Sequence, residues 1–355
     1  GRAALTFLKL WAVAVVFSLA YLGLTSMCSA LFRQPAVSLV LNDKPGSRLS
    51  ADAAARIRAA AEQLDYRPNP AARSLRVGKT QTVAFLSDDV TVTRYASAMI
   101  RGLLDVAEQH RHTVLIAETG SNPRRIKAAL RAMLDRQPDA VVFGLMGAKE
   151  IDVPKIPAEL PVVLINSTSP ADHPSVLPAE YEAGRAMATM LLEAGHRDIA
   201  VIGYSPEHAS NPRESVTIQQ RYDGIFAALN EYGVTPSWLY DSFVWEPHVG
   251  YEAMQELLAS GARPTGLICL NDRLAFGVYQ AMAEHGLKVP DDISIASFDD
   301  DVIASYLRPG LTTAAIPYEE MGRRAMEMLL SDAEPEHLLV HMPLRVRESI
   351  RTVDP

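Results

Sequence analysis

The stretch GLICLNDRLAFGVYQAMAEHGLKVPDDISIASFDD, Gly266–Asp300, reads as strand, helix, strand. An apolar run leads to Asn271, a helical segment follows to Gly286, and a second apolar run closes at Asp299. The same alternation fills most of the chain. Strand-like runs TVAFLS, TVLIAET, AVVFG, VVLIN and IAVIGYS are separated by helical stretches such as ASAMIRGLLDVAEQH, PRRIKAALRAMLDRQ and YEAGRAMATMLLEAG. Strands that alternate with helices build parallel sheets covered on both faces, which predicts an α/β fold of doubly wound sheets. The number of strand signals suits two such lobes rather than one.

Open parallel sheets collect ligands at the carboxyl ends of their strands, and two facing lobes turn those ends into a cleft. The polar residues just after the strands are therefore the candidates. Asp299 closes ISIASFD, Asn271 and Asp272 follow GLICL, and Asn166 ends VVLIN. Arg221, opening RYDGIFAAL, offers a planar fork of donors to vicinal hydroxyls or a carboxylate. Together they suit a polyol such as a sugar. Each has a plainer reading: Asp299 and Asn271 as helix caps, Arg221 as the partner of an acid. Convergence of several strand ends on one crevice favours the ligand.

The chain has 355 residues, 48% hydrophobic and 21% charged, a globular composition. Its net charge of −8 hides a polarity along the chain. Residues 33–80 carry nine Lys and Arg against four acids, while everything from 81 onward sums to about −15. A basic head on an acidic body fits an arm that meets phosphates. Only Cys28 and Cys269 occur, so no disulfide framework is implied. The nine histidines show no ligand spacing, and no Walker loop, GxGxxG or GxSxG is present, so neither metal, cofactor nor enzyme is signalled.

Within the basic segment, RQPAVSLVLN predicts a short helix. LSADAAARIRAAAEQLDY predicts a second, with Ser50 as N-cap and Ala54, Ile57, Ala61 and Leu64 on one face. RPNPAARSLRVGKT then gives a short helix running into a basic linker, which completes a helix-turn-helix unit tethered to a body. Residues 10–32 hold no Lys, Arg, Asp or Glu over 23 positions, enough to cross a bilayer. Three readings of that run stand: a membrane anchor, an altered or misread N-terminus upstream of Arg33, or a soluble substitute helix.

From Arg33 to about residue 350 the chain resembles the lactose-repressor/galactose-repressor family of bacterial transcription regulators. The likeness rests on AVSLVLN, LDYRPNPAARSLRVGKT, GHRDIAVIG, QRYDGIFAAL, LNDRLAFGVYQAMAEHGLKVPDDISIASFDD and LTTAAIPYEEMGRRAMEML. It departs upstream, where the family's DVAxxAGVS helix is replaced by LTSMCSALF. The resemblance implies three regions: a hydrophobic segment 1–32, a partial DNA-binding head and hinge 33–80, and a periplasmic-binding-protein-like body 81–355. Lobe 1 of that body would take about 81–180 and 317–340, and lobe 2 about 181–316 and 341–355.

In the head, the resemblance places Gln34, Pro35, Ala36 and Ser38 on base edges of the major groove. Asn69 falls near the DNA backbone, and Leu75, with Ala72 beside it and Arg73 flanking, would wedge into the minor groove. In the body it assigns Arg221, Asn271 and Asp299 to the effector, with Asp89 and Tyr95 in the first loop that faces it. The implied protein is a cytoplasmic homodimeric repressor whose grip on an operator answers to a small molecule, a sugar rather than a purine. The alternative is a periplasmic sugar receptor anchored in the inner membrane through residues 10–32.

Overall fold

Apolar strands buried on both faces need helices on both sides, and this chain supplies them in alternation. The computed structural model describes residues 40, 50–66, 74, 78–91, 93–120, 122–331 and 334–353. Two compact units result, residues 1–80 and residues 81–355.

In the first unit, α1 (Ala51–Gln63) starts at Ser50, whose hydroxyl accepts the N–H of Ala53 at 3.2 Å. Ala54, Ile57 and Ala61 of the expected face are half-buried, but Leu64 is 68% exposed. Leu64 is the C-cap, where the backbone has already left the helical path (φ −93°, ψ 2°). The apolar run 10–32 lies outside the described residues. Among the described residues no helix is long and apolar enough to cross a membrane.

The second unit contains two six-stranded sheets. The first joins β1 (Thr82–Ser87), β2 (Thr113–Glu118), β3 (Ala140–Glu150), β4 (Val162–Thr168), β5 (Ser175–Pro178) and β11 (Leu338–Val340). The second joins β6 (Ile199–Ile202), β7 (Trp238–Tyr240), β8 (Gly266–Cys269), β9 (Ser294–Asp299), β10 (Thr312–Ala315) and β12 (Leu344–Arg345). Their orders, β11-β5-β4-β3-β1-β2 and β12-β10-β9-β8-β6-β7, are the same pattern repeated. All pairings are parallel except β10 with β12. The chain passes between sheets three times: after β5, after β10, and between β11 and β12.

On the first sheet, α2 (Arg94–Gln109) and α10 (Tyr318–Leu330) cover one face, packing Met99, Leu103 and Met321 on Val83 and Phe85. Helix α3 (Pro123–Leu134) covers the other, packing Leu130 and Met133 on Ala84, Leu86 and Phe143. Helices α4 (Glu180–Glu193), α6 (Ile218–Glu231), α7 (Pro247–Ala259) and α8 (Asp272–Glu284) share one core with the second sheet. The short helices α5 (Pro206–Ala209) and α9 (Val302–Tyr306) follow the ends of β6 and β9.

One helix contact bears directly on the site. Helices α4 and α6 approach backbone to backbone at Gly184 and Gly224. A Cβ on Gly184 would stand 2.3 Å from the Arg221 carbonyl oxygen, and one on Gly224 2.1 Å from that of Tyr181. Only glycine permits that distance. It sets Glu180 at the start of α4 beside Arg221 of α6.

Candidate effector site

The polar strand ends gather where the two sheets face each other. From the second sheet, Arg221 is 2% exposed and its guanidinium is bound from three directions. Nε and Nη2 donate to the two carboxylate oxygens of Glu180 at 2.7 Å each, and Nη1 donates to the Leu270 carbonyl at 2.5 Å. Its Nη2 lies 3.8 Å from Asp299 Oδ1. A guanidinium has five N–H donors, so two remain for a ligand, and the bidentate edge expected to meet it is occupied by Glu180. Burial works against the Arg221 charge, but the Glu180 carboxylate more than compensates and its pKa is raised. Aromatic faces complete the surround: the guanidinium carbon sits 4.4 Å from the ring centre of Phe298 and 5.7 Å from that of Trp245.

Asp299 ends β9 with its side chain 20% exposed and its backbone at φ +104°. Burial pushes its carboxyl up to about 6; Arg221 opposes that, and Glu180 and Asp301 add to it. Neighbouring Asp272 is fully buried and accepts the N–H of Asp301 at 2.6 Å. Burial, then the charge of Asp299, drives its pKa well above the carboxylate range. Asn271 does what the plainer reading foresaw. Its Oδ1 caps α8 by accepting the Leu274 N–H at 2.8 Å, and its Nδ2 donates to the Trp245 carbonyl at 3.2 Å.

From the first sheet come Asn166 and Tyr95. Asn166, 3% exposed and at φ +54°, donates through Nδ2 to the carbonyls of Leu145 and Met146, both at 3.1 Å. Tyr95, in the first turn of α2, reaches the other lobe: its hydroxyl donates to Asp301 Oδ2 at 2.8 Å. Tyr318 packs beside it, ring centres 5.3 Å apart and tilted by 34°, and donates to the Met146 carbonyl at 3.1 Å. Burial first, and Asp299 next, raise the pKa of both phenols, which therefore stay neutral donors. Asp89 is half-buried in the loop after β1. The carboxylate turned inward there is that of Asp88, 4% exposed, accepting the N–H groups of Asp89 and Met146 at 3.0 and 3.1 Å.

The cleft thus brings together Tyr95, Asn166, Arg221, Asn271 and Asp299, and adds Glu180, Trp245, Asp301 and Tyr318, none of which was singled out from the sequence for the cleft. Glu180 precedes Arg221 by 41 positions, with no local pattern tying them. The DNA-binding candidates Gln34, Pro35, Ala36, Ser38, Asn69, Ala72, Arg73 and Leu75 lie outside the described residues. Among the described residues no group of His, Cys, Asp or Glu could hold a metal ion.

Comparison with known proteins bears on the same architecture. A family model described as a periplasmic binding protein-like domain matches residues 188–350. The chain is 31% identical over 274 residues to the ribose operon repressor of Haemophilus influenzae, covering 76% of this chain and 79% of that protein. Among solved structures, a Lacl-family putative transcriptional regulator from Rhizobium etli superposes with a TM-score of 0.67 at 29% identity, over 76% of this chain and 99% of its own. The lac repressor dimer bound to operator and an anti-inducer shares the fold, with a TM-score of 0.70 at 22% identity, covering 88% of this chain and 94% of that one.

Proposed function

The chain belongs to the lactose-repressor/galactose-repressor family of transcription regulators, and from that premise we propose how its own residues serve regulation. It is a DNA-binding repressor whose operator affinity answers to a small molecule held between two lobes. The effector is a sugar or related polyol. Asp299 accepts hydroxyl hydrogen bonds, the two remaining Arg221 N–H groups donate to ring or hydroxyl oxygens, and the Trp245 face packs on the apolar side of the ring.

One observation carries this reading. Asn166, two residues before the end of β4, and Asp299, ending β9, both hold left-handed backbone, and the Tyr95–Asp301 hydrogen bond joins the two clusters beside them. Strained backbone at converging strand ends is held by its surroundings and gathers at ligand sites. Effector binding changes how the lobes close; that closure sets the spacing of paired hinge segments in a homodimer and so the grip on a two-fold operator.

In that scheme Gln34, Pro35, Ala36 and Ser38 read base edges, and Leu75, with Ala72 and Arg73, wedges into the minor groove while Asn69 meets the DNA backbone. The protein acts in the cytoplasm, without enzymatic chemistry. The test is thermal stability against a panel of monosaccharides and purine bases, since a ligand that binds only the folded state raises its melting temperature. A sugar is expected to stabilise the wild type, and Asp299→Asn to weaken it about 10- to 100-fold, the range for a hydrogen bond to a charged group. Stabilisation by purines alone, or by sugars equally in Asp299→Asn, refutes the assignment.

A further inference from the structure

A further cavity opens on the first lobe, on the opposite face of its sheet from Tyr95. It has a volume of about 580 Å³ and lies at the carboxyl ends of β1, β2 and β3, under the first turns of α3. Its apolar wall includes Leu86, Ile126, Phe143, Leu145 and Val153. Leu86 and Phe143 belong to the core under α3, whereas Tyr95 packs with the core under α2. None of Tyr95, Asn166, Arg221, Asn271 and Asp299 lines it.

The charges around this cavity are unevenly matched. It is edged by Lys127, Lys149, Lys155 and Arg213 against Asp88, Glu150 and Asp152. All three acids are engaged: Asp88 Oδ2 lies 3.7 Å from Lys149 Nζ, and Arg213 binds Asp152 at 2.9 and 3.0 Å and Glu150 at 3.3 Å. For Lys127 and Lys155, both exposed, no carboxylate partner stands among the described residues. An apolar wall with two surplus ammonium groups at its mouth matches a hydrophobic body bearing one anionic head.

The cavity also touches the joint between lobes. Arg213 comes from the second lobe, and the chain around it pairs with the first. Glu150 N–H donates to the Pro212 carbonyl at 2.7 Å, and Val216 N–H to the Ala148 carbonyl at 2.8 Å. An occupant resting against Arg213 is therefore in contact with a segment that ties the two lobes together.

We propose that this cavity is an accessory site for a small carboxylic acid with an aromatic or aliphatic body, whose binding favours the closed lobes through the Arg213 segment. The coupling to the sugar rests on the function proposed above; the binding itself does not. The test is calorimetric titration of the full chain with 4-phenylbutyrate. Saturable binding of one molecule per chain is expected. The double variant Lys127→Glu, Lys155→Glu should weaken it about tenfold or more by reversing the charge at the mouth. Asp299→Asn, in the other cleft, should leave it unchanged.

Saturating 4-phenylbutyrate should then shift the sugar dissociation constant by about fivefold or more, the lower end of allosteric couplings, and Arg213→Ala should remove that shift. Absence of saturable binding, or binding lost in Asp299→Asn but kept in the lysine variant, overturns the site. A sugar affinity indifferent to 4-phenylbutyrate overturns the coupling. Failure of every sugar to bind, with 4-phenylbutyrate still bound one to one, refutes the sugar cleft and leaves this site standing.

Discussion

The two sheets repeat one strand order, yet their carboxyl ends are chemically unlike. The second lobe concentrates charge: Arg221, Glu180, Asp272 and Asp299 lie within one buried network. The first lobe meets it with neutral groups, the phenols of Tyr95 and Tyr318 and the amide of Asn166. One topology therefore carries a buried charge network on one side and neutral donors on the other. Topology brings the strand ends together, and the side chains there give the two lobes unlike chemistry.

The sharpest way to break this contrast is to remove the charge balance of the second lobe. Glu180→Ala leaves the Arg221 guanidinium buried without its carboxylate and should destabilise the protein by about 3–5 kcal/mol. Urea unfolding measures it, and a loss under 1 kcal/mol would mean that water reaches Arg221. Gly184→Ala comes next, because the new methyl group meets the Arg221 carbonyl at 2.3 Å. Separating α4 from α6 should cost about 1–3 kcal/mol and loosen the Arg221–Glu180 pair, read by denaturation and sugar affinity together.

On the side of the first lobe the expected effect is smaller. Tyr95→Phe deletes one cross-lobe hydrogen bond and should weaken sugar binding by about 0.5–1.5 kcal/mol in titration calorimetry while leaving the melting temperature of the unliganded protein nearly unchanged. An equal loss in both readouts would make Tyr95 a core residue rather than a closing one.

The pH dependence separates the lobes most finely. The Asp299 carboxyl is raised to about 6, so the folded protein holds that proton more tightly than the unfolded chain. Its contribution to stability is therefore full below the ordinary carboxylate pKa and is lost as pH rises through about 6. Asp299→Asn should flatten that part of the stability profile. Sugar affinity should run the opposite way, rising through the same pH range as Asp299 ionises and becomes a pure acceptor.

Some of this site is legible in the sequence. Asp299, Asn271 and Asn166 were marked by a local rule, a polar residue directly after an apolar strand. Ser50 was marked by another, a hydroxyl at the head of a helical stretch, and both rules concern neighbours in the chain. Arg221 is legible as a residue, but the occupation of its bidentate fork by Glu180 is not. Trp245 carried no strand-end signal, and its place over the guanidinium depends on how the segment after β7 folds back. The accessory cavity has no contiguous signature at all; its lining spans residues 86 to 213.

The order of strands and helices, the contrast of a basic segment 33–80 with an acidic remainder, and the strand-end candidates were determined by the sequence itself. Each depends on the period and composition of a few adjacent residues, which local sterics and burial translate directly. Only the tertiary structure decided which carboxylate neutralises Arg221, which phenol bridges the lobes, and which lysines are left over at a cavity mouth. Those are contacts between segments tens of residues apart. They are selected by the close approach of helices at Gly184 and Gly224 and by the facing of two sheets, and no local pattern encodes either.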